Sequence, residues 1–161
     1  MLLAGDVGGT NARLGLFANT DGRPELQHTR VYPTPAFADV EGLSREFCRD
    51  CGIAPASLSG AAFGVAAPVL DNVVTLTNAD WRIDGRAAAA SLGLEHVRLV
   101  NDLTAMAWGV TVLRAGEYVT LQDCPSDPHG NVAIIAPGTG LGQAFPLHAL
   151  DRQAAAVAVD D

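Results

Sequence analysis

The chain opens with an apolar run, Leu2 to Val7, which is interrupted by Gly8-Gly9-Thr10-Asn11 and resumes as a β pattern from Ala12 to Phe17. Turn-forming residues between two β-patterned runs specify an antiparallel hairpin. A second turn at Asn19-Thr20-Asp21-Gly22 leads to a third strand near Gln27 to Tyr32. Thr34-Pro35 then reads as a helix start, with Thr34 as N-cap and Pro35 at the first helical position. Phe37, Val40, Leu43, Phe47, Cys48 and Cys51 follow at the three- and four-residue spacing of one buried helix face.

The rest of the chain alternates. Gly60 to Ala67 and Val73 to Leu76 read as strands, with Pro68 closing the first. Asp84 caps an Ala-rich helix that Gly93 stops. Val97 to Val100 is a strand, and Asp102 opens a helix with Leu103, Met106, Val110 and Leu113 on one side. Asn131 to Ala136 is a strand, and after Pro137-Gly138-Thr139-Gly140-Leu141-Gly142 the stretch Gln143 to Leu150 is another. The expected class is α/β, a mixed sheet beginning with an antiparallel hairpin and flanked by helices.

Composition removes several function classes. With 18 acidic and 10 basic residues the net charge is −8, which disfavours nucleic acid or an anionic membrane as partner. All ten basic residues are arginine. A chain without lysine has no Schiff-base lysine, no Walker-A lysine and no protein-kinase ATP lysine. Three cysteines make no disulfide framework. No apolar run approaches the length of a membrane span, and the first residues do not form a signal peptide. A cytoplasmic location is expected.

Three motifs carry chemistry. In Asp6-Val7-Gly8-Gly9-Thr10-Asn11-Ala12-Arg13 the glycines let backbone amides approach a phosphate, and Thr10 and Asn11 add side-chain donors. Asp6, at the strand end, suits a Mg²⁺ ion held through water. Pro137-Gly138-Thr139-Gly140-Leu141-Gly142 is not a dinucleotide fingerprint, because Gln143 stands where the third glycine belongs. It repeats the strand–glycine turn–strand pattern, and two such loops suggest a grip on one phosphate chain. In Val100-Asn101-Asp102-Leu103 a strand hands over to a helix. Asn-Asp there is a helix cap on the plain reading, and on the functional one Asp102 is a general base at the carboxyl edge of the sheet. A carboxylate is a weak base, sufficient for phosphoryl transfer, where alignment and electrostatics dominate.

Other features read as structural. Cys48-Arg49-Asp50-Cys51 has no second cysteine pair, and both thiols fall on the apolar face of a helix. His28, His96, His129 and His148 are far apart in sequence. Trp81 and Trp108 read as packing residues.

Taken together the three motifs resemble the amino-terminal part of the bacterial glucokinase family, within the hexokinase/actin/Hsp70 ATPase superfamily. Gly5-Asp6-Val7-Gly8-Gly9-Thr10-Asn11-Ala12-Arg13 is similar to the family's first phosphate loop and Gly138-Thr139-Gly140-Leu141-Gly142 to its second. Leu76-Thr77-Asn78-Ala79-Asp80-Trp81 resembles the segment beside the sugar, and Asn101-Asp102 the hexose-binding Asn and catalytic Asp.

The resemblance implies an actin-like ATPase (RNase H-like) domain over residues 1–150. Its cofactors would be ATP and Mg²⁺, and its partner glucose or a related hexose. Asp102 would take the proton of the glucose 6-hydroxyl, and Asp6 would anchor the metal. Gly5, Asp6, Val7, Gly8, Gly9, Thr10, Asn11, Arg13, Gly138, Thr139 and Gly140 would surround the nucleotide, and Asn101, Asp102 and Asn78 the sugar. The family's Glu-Gly-Gly-His segment is not matched. The expectation is therefore that the second domain is absent, that residues 151–161 form a divergent Ala-rich tail, and that the chain alone is inactive or nearly so. An exposed interdomain surface would favour homo-oligomers or a separately supplied carboxy-terminal lobe. The alternatives are a non-catalytic remnant or interaction module, and a kinase of this fold for another acceptor.

Overall fold

A computed structural model describes residues 1–20, 23–76, 79–123, 133–137 and 141–144. The chain divides into two compact units, Met1–Asp102 and Leu103–Asp161.

The first unit is built on β1 (Leu2–Val7), β2 (Asn11–Thr20) and β3 (Arg23–Pro33), a three-strand meander. The helix α1 (Val40–Asp50) leads to β4 (Gly60–Val65), then the hairpin of β5 (Val73–Leu76) and β6 (Trp81–Asp84). The helix α2 (Gly85–Leu92) and β7 (Val97–Asn101) complete it. The main sheet has the order β3-β2-β1-β4-β7. β1 is antiparallel to β2, which is antiparallel to β3, whereas β1, β4 and β7 run parallel. This is the mixed sheet the sequence predicts.

Strand alternation sorts side chains between the two faces of the sheet. Leu3 and Val7 of β1 share one face with Ala12, Leu14 and Leu16 of β2, Phe63 and Val65 of β4, and Leu99 of β7. All are buried in one core with Val40, Leu43 and Phe47 of α1 and Ala88 and Leu92 of α2. The other face carries the exposed Asp6, Arg13, Ala62 and Arg98.

The helix expected from Thr34 starts later. Residues Thr34–Ala36 form a single 3-10 turn, and α1 begins at Val40 with Asp39 as its cap, the carboxylate accepting from the Gly42 amide at 2.7 Å. Thr34 is fully buried, and its hydroxyl turns back to the Gly8 carbonyl instead of forward into a helix. The Ala-rich helix is as expected: the Asp84 carboxylate accepts from the amides of Arg86 and Ala87, and Gly93 ends it at φ 70°. β6 is a strand that the sequence reading passes over.

The β5–β6 hairpin is tied to the sheet edge by one residue. Asp71 and Asn72 have φ of 51° and 64° and form a tight turn in which Leu70 and Val73 bridge. From that turn the Asn72 side-chain amide donates to the Val97 carbonyl, and its oxygen accepts from the Leu99 amide, both at 2.8 Å. Asn72 thus occupies the outer edge of β7 as a further strand would.

In the second unit, β8 (Ile134–Pro137) and β9 (Leu141–Ala144) form an antiparallel pair. The helix α3 (Asp102–Val110) starts on the last residue of the first unit. Leu103 and Ala107 pack with Ile134. The expected apolar stripe is not a buried one: Met106, Val110 and Leu113 are exposed, and Trp108, expected to pack, is 43% exposed. After Val110 the amides of Thr111, Val112 and Leu113 bond three residues back. That tighter winding takes Leu113 off the helical stripe. Among the described residues no helix is long and apolar enough to cross a membrane.

Candidate functional site

The register of the three parallel strands defines the site. Val65 is the partner of Val7 on one side and of Asn101 on the other. The carboxyl ends of β1 and β7 therefore stop at the same level, and the residues that follow, Gly8 and Asp102, leave the sheet along one edge. Two strand spacings of ~4.8 Å place these positions roughly 10 Å apart. Open α/β sheets place ligands at that edge.

The glycine bend is a two-residue hairpin turn with an unusual closure. The Gly8 amide donates to the Asn11 carbonyl at 3.0 Å, as a hairpin requires. The reciprocal acceptor, the Gly8 carbonyl, takes the Thr34 hydroxyl at 2.7 Å instead. The Thr34 amide also donates to the Thr10 carbonyl at 3.0 Å. Among the described residues the amides of Gly9, Thr10 and Asn11 have no hydrogen-bond partner, whereas that of Gly8 is taken. The free amides of the bend begin at Gly9. A side chain at Gly8 would put Cβ 3.2 Å from the Asn11 backbone oxygen, a tight contact.

The neighbouring positions separate by face. Gly5 and Val7 point into the core: a Cβ on Gly5 would lie 2.5 Å from Phe63 and 2.6 Å from Leu14, and Val7 is fully buried. Packing accounts for both, and neither offers a side chain to a ligand. Asp6 and Arg13 are direct cross-strand partners on the exposed face. Asp6 presents an oxygen donor there. Among the described residues no group of three or more His, Cys, Asp or Glu forms a metal-ligand set. A single carboxylate fits Mg²⁺, which takes oxygen ligands and keeps several waters.

Asn101 and Asp102 are half-buried, Asn101 ending β7 and Asp102 in the first turn of α3. Asn78 lies outside the described residues, as do Gly138, Thr139 and Gly140. The strands flanking the second glycine turn are described, and Pro137 pairs with Leu141 across it. A Cβ on Gly142 would lie 2.7 Å from a terminal methyl of Leu103.

The segment after Thr34 joins the bend to the β5–β6 hairpin, because the Phe37 carbonyl accepts the Trp81 indole N–H at 3.3 Å. The cysteine pair has no place in the site. Cys48 is buried, Cys51 half-buried, both are free, and burial pushes both thiols up, away from the reactive thiolate.

A family model described as Glucokinase matches residues 3–159. The chain is 36% identical over 153 residues to a glucokinase of Synechocystis sp., covering 90% of this chain and 43% of that protein. It is 32% identical over 151 residues to a glucokinase of Yersinia pestis, covering 94% of this chain and 45% of that one. Among solved structures, a glucokinase from an Antarctic psychrotroph superposes with a TM-score of 0.84 at 24% identity, covering 99% of this chain and 49% of that one. A glucokinase from Balamuthia mandrillaris in complex with glucose gives 0.65 at 22% identity, with 99% and 47% covered. At those identities the solved structures show a shared fold. The chain spans less than half the length of these curated relatives.

Proposed function

Because the chain belongs to the glucokinase family, we propose that it supplies the phosphate-binding and proton-accepting side of ATP-dependent phosphorylation of the glucose 6-hydroxyl. The observation that carries the proposal is the shared level of Val7 and Asn101 beside Val65, which sets the glycine bend and Asp102 on one sheet edge.

In this reading the amides of Gly9, Thr10 and Asn11 receive phosphate oxygens, and Arg13 adds positive charge on the exposed face. Gly138, Thr139 and Gly140 form the second phosphate loop. Asn101, with Asn78, orients the hexose. Asp102 accepts the 6-hydroxyl proton as the oxygen attacks the γ-phosphate in line, a step in which positioning contributes more than basicity. Asp6 would hold Mg²⁺ through water, and the ion, when bound, offsets charge on the β- and γ-phosphates.

The test is ADP release coupled to glucose and Mg-ATP, with the chain alone and completed by the carboxy-terminal part of a relative. Glucose-dependent ADP formation by the completed protein supports the reading. ADP formation only with a different acceptor from a sugar and acid panel would move the substrate, and none with any acceptor would remove the kinase reading.

A further inference from the structure

Thr34 is one of two buried polar side chains in the described structure, and the other, Ser44, bonds within its own helix at 2.7 Å. Thr34 bonds outward, to a bend 26 residues earlier in the chain. We propose that Thr34 is a positioning residue for phosphate binding, holding two carbonyls of the glycine bend inward so that its amides face the ligand. The inference rests on the phosphate reading of the bend.

The argument follows from the planar trans peptide, in which C=O and N–H point in opposite directions. The Gly8 carbonyl is directed at the Thr34 hydroxyl at 2.7 Å, so the Gly9 N–H of the same peptide plane points away from Thr34. The Thr10 carbonyl is directed at the Thr34 amide at 3.0 Å, so the Asn11 N–H likewise points away. In an ordinary two-residue hairpin the Asn11 amide would be consumed by the Gly8 carbonyl. Here that carbonyl is diverted, and the Gly9 and Asn11 N–H groups, both aimed away from Thr34, are left to receive an anion. Turning the carbonyls inward also keeps their oxygen dipoles from facing a polyanion. Burial matters too, because water cannot stand in for the hydroxyl where Thr34 is fully enclosed.

The test titrates the full chain with magnesium tripolyphosphate while backbone amides are followed by ¹H–¹⁵N NMR. The expected result for the natural chain is saturable shifts at Gly9, Thr10 and Asn11, with the Gly8 amide moving much less. Thr34→Val keeps shape and removes the hydroxyl; its Kd should rise about tenfold. Thr34→Ser retains the hydroxyl and should bind within about twofold of the natural chain. A role in stability alone would leave the Kd of the folded protein unchanged in Thr34→Val, which overturns the inference. So does an equal loss in the Val and Ser variants, or a Gly8 amide that shifts as far as Gly9. The measurements on the natural chain stand even if Thr34→Val does not fold. Should the natural chain bind no tripolyphosphate at all, the phosphate reading fails and this inference falls with it. Binding that is indifferent to Thr34→Val defeats this inference alone.

Discussion

Val7 and Asn101 share one partner, Val65, across two adjacent parallel pairings. The two residues are far apart in the chain, and only the parallel register brings their successors to one edge. The candidate site is a consequence of that register. A one-residue slip of β4 against either neighbour would turn its inward side chains outward. Phe63 and Val65, both fully buried, oppose such a slip.

The anchoring of β7 by Asn72 leads to a stability prediction. Asn72→Ala removes both hydrogen bonds to β7 and leaves the Val97 carbonyl and Leu99 amide without their partner. It also puts alanine at φ 64°. A loss of about 2–3 kcal/mol is expected from urea denaturation. Gly85→Ala should destabilise through the same side chain, since its Cβ would collide with the Asn72 amide. If Asn72→Ala unfolds at the natural urea midpoint, the anchor contributes nothing.

The acidic and alkaline limits of stability should both depend on Tyr32. Its hydroxyl and the Arg30 guanidinium each donate to Asp50 at 2.6 Å. Burial, reinforced by the Asp50 carboxylate, pushes the phenol up to about 12. Between an ordinary tyrosine value of about 10 and that value the unfolded chain releases the proton and the folded one keeps it. Stability present below pH ~10 is therefore lost as the pH rises through that interval. The Tyr32 hydrogen bond, then the charges of Arg30 and Arg49, hold the Asp50 carboxyl below the usual range against some desolvation. That contribution is present above the ordinary carboxylate range and is lost as pH falls through the lowered value. In Tyr32→Phe the alkaline step should vanish and the acid loss should become smaller and end at a higher pH, read from urea midpoints against pH. Superimposable profiles for the two proteins would refute this.

Gly142 should tolerate one methyl group and little more. A Cβ there meets the terminal methyls of Leu103 at 2.7 and 2.9 Å, the flexible end of a side chain that can move. Gly142→Ala should cost under about 1 kcal/mol and Gly142→Val about 1–3 kcal/mol, measured by denaturation. Equal stability in the two variants would show that Leu103 does not limit the space.

Much of the fold is legible where the signal is local. Asp84 before an Ala-rich run and Gly93 after it declare a helix by cap chemistry alone, and the opening hairpin is declared by its turn. Thr34 misleads for the converse reason: Thr-Pro is a strong local helix signal, but the hydroxyl's partner is Gly8, and no local pattern reports a contact 26 residues away. β6 is hidden by its length: Trp81-Arg82-Ile83-Asp84 alternates, but over only four residues, the last of which is a helix cap. Trp108 is read as packed because tryptophan usually is, yet it stands exposed. In the candidate site, the sequence offers residue types at Asp6, Gly8 to Asn11 and Asn101-Asp102. Which amides of the bend remain free is not legible there, since the Gly8 amide and carbonyl are engaged by Asn11 and Thr34.

The account depends most on Asp102. The direct measurement compares natural and Asp102→Asn forms of an enzyme carrying this chain as its amino-terminal portion, with kcat and glucose KM taken from coupled ADP release. The account predicts a fall in kcat of about 10²–10⁴-fold with glucose KM little changed. A variant whose kcat stays within a few-fold of the natural enzyme would contradict it.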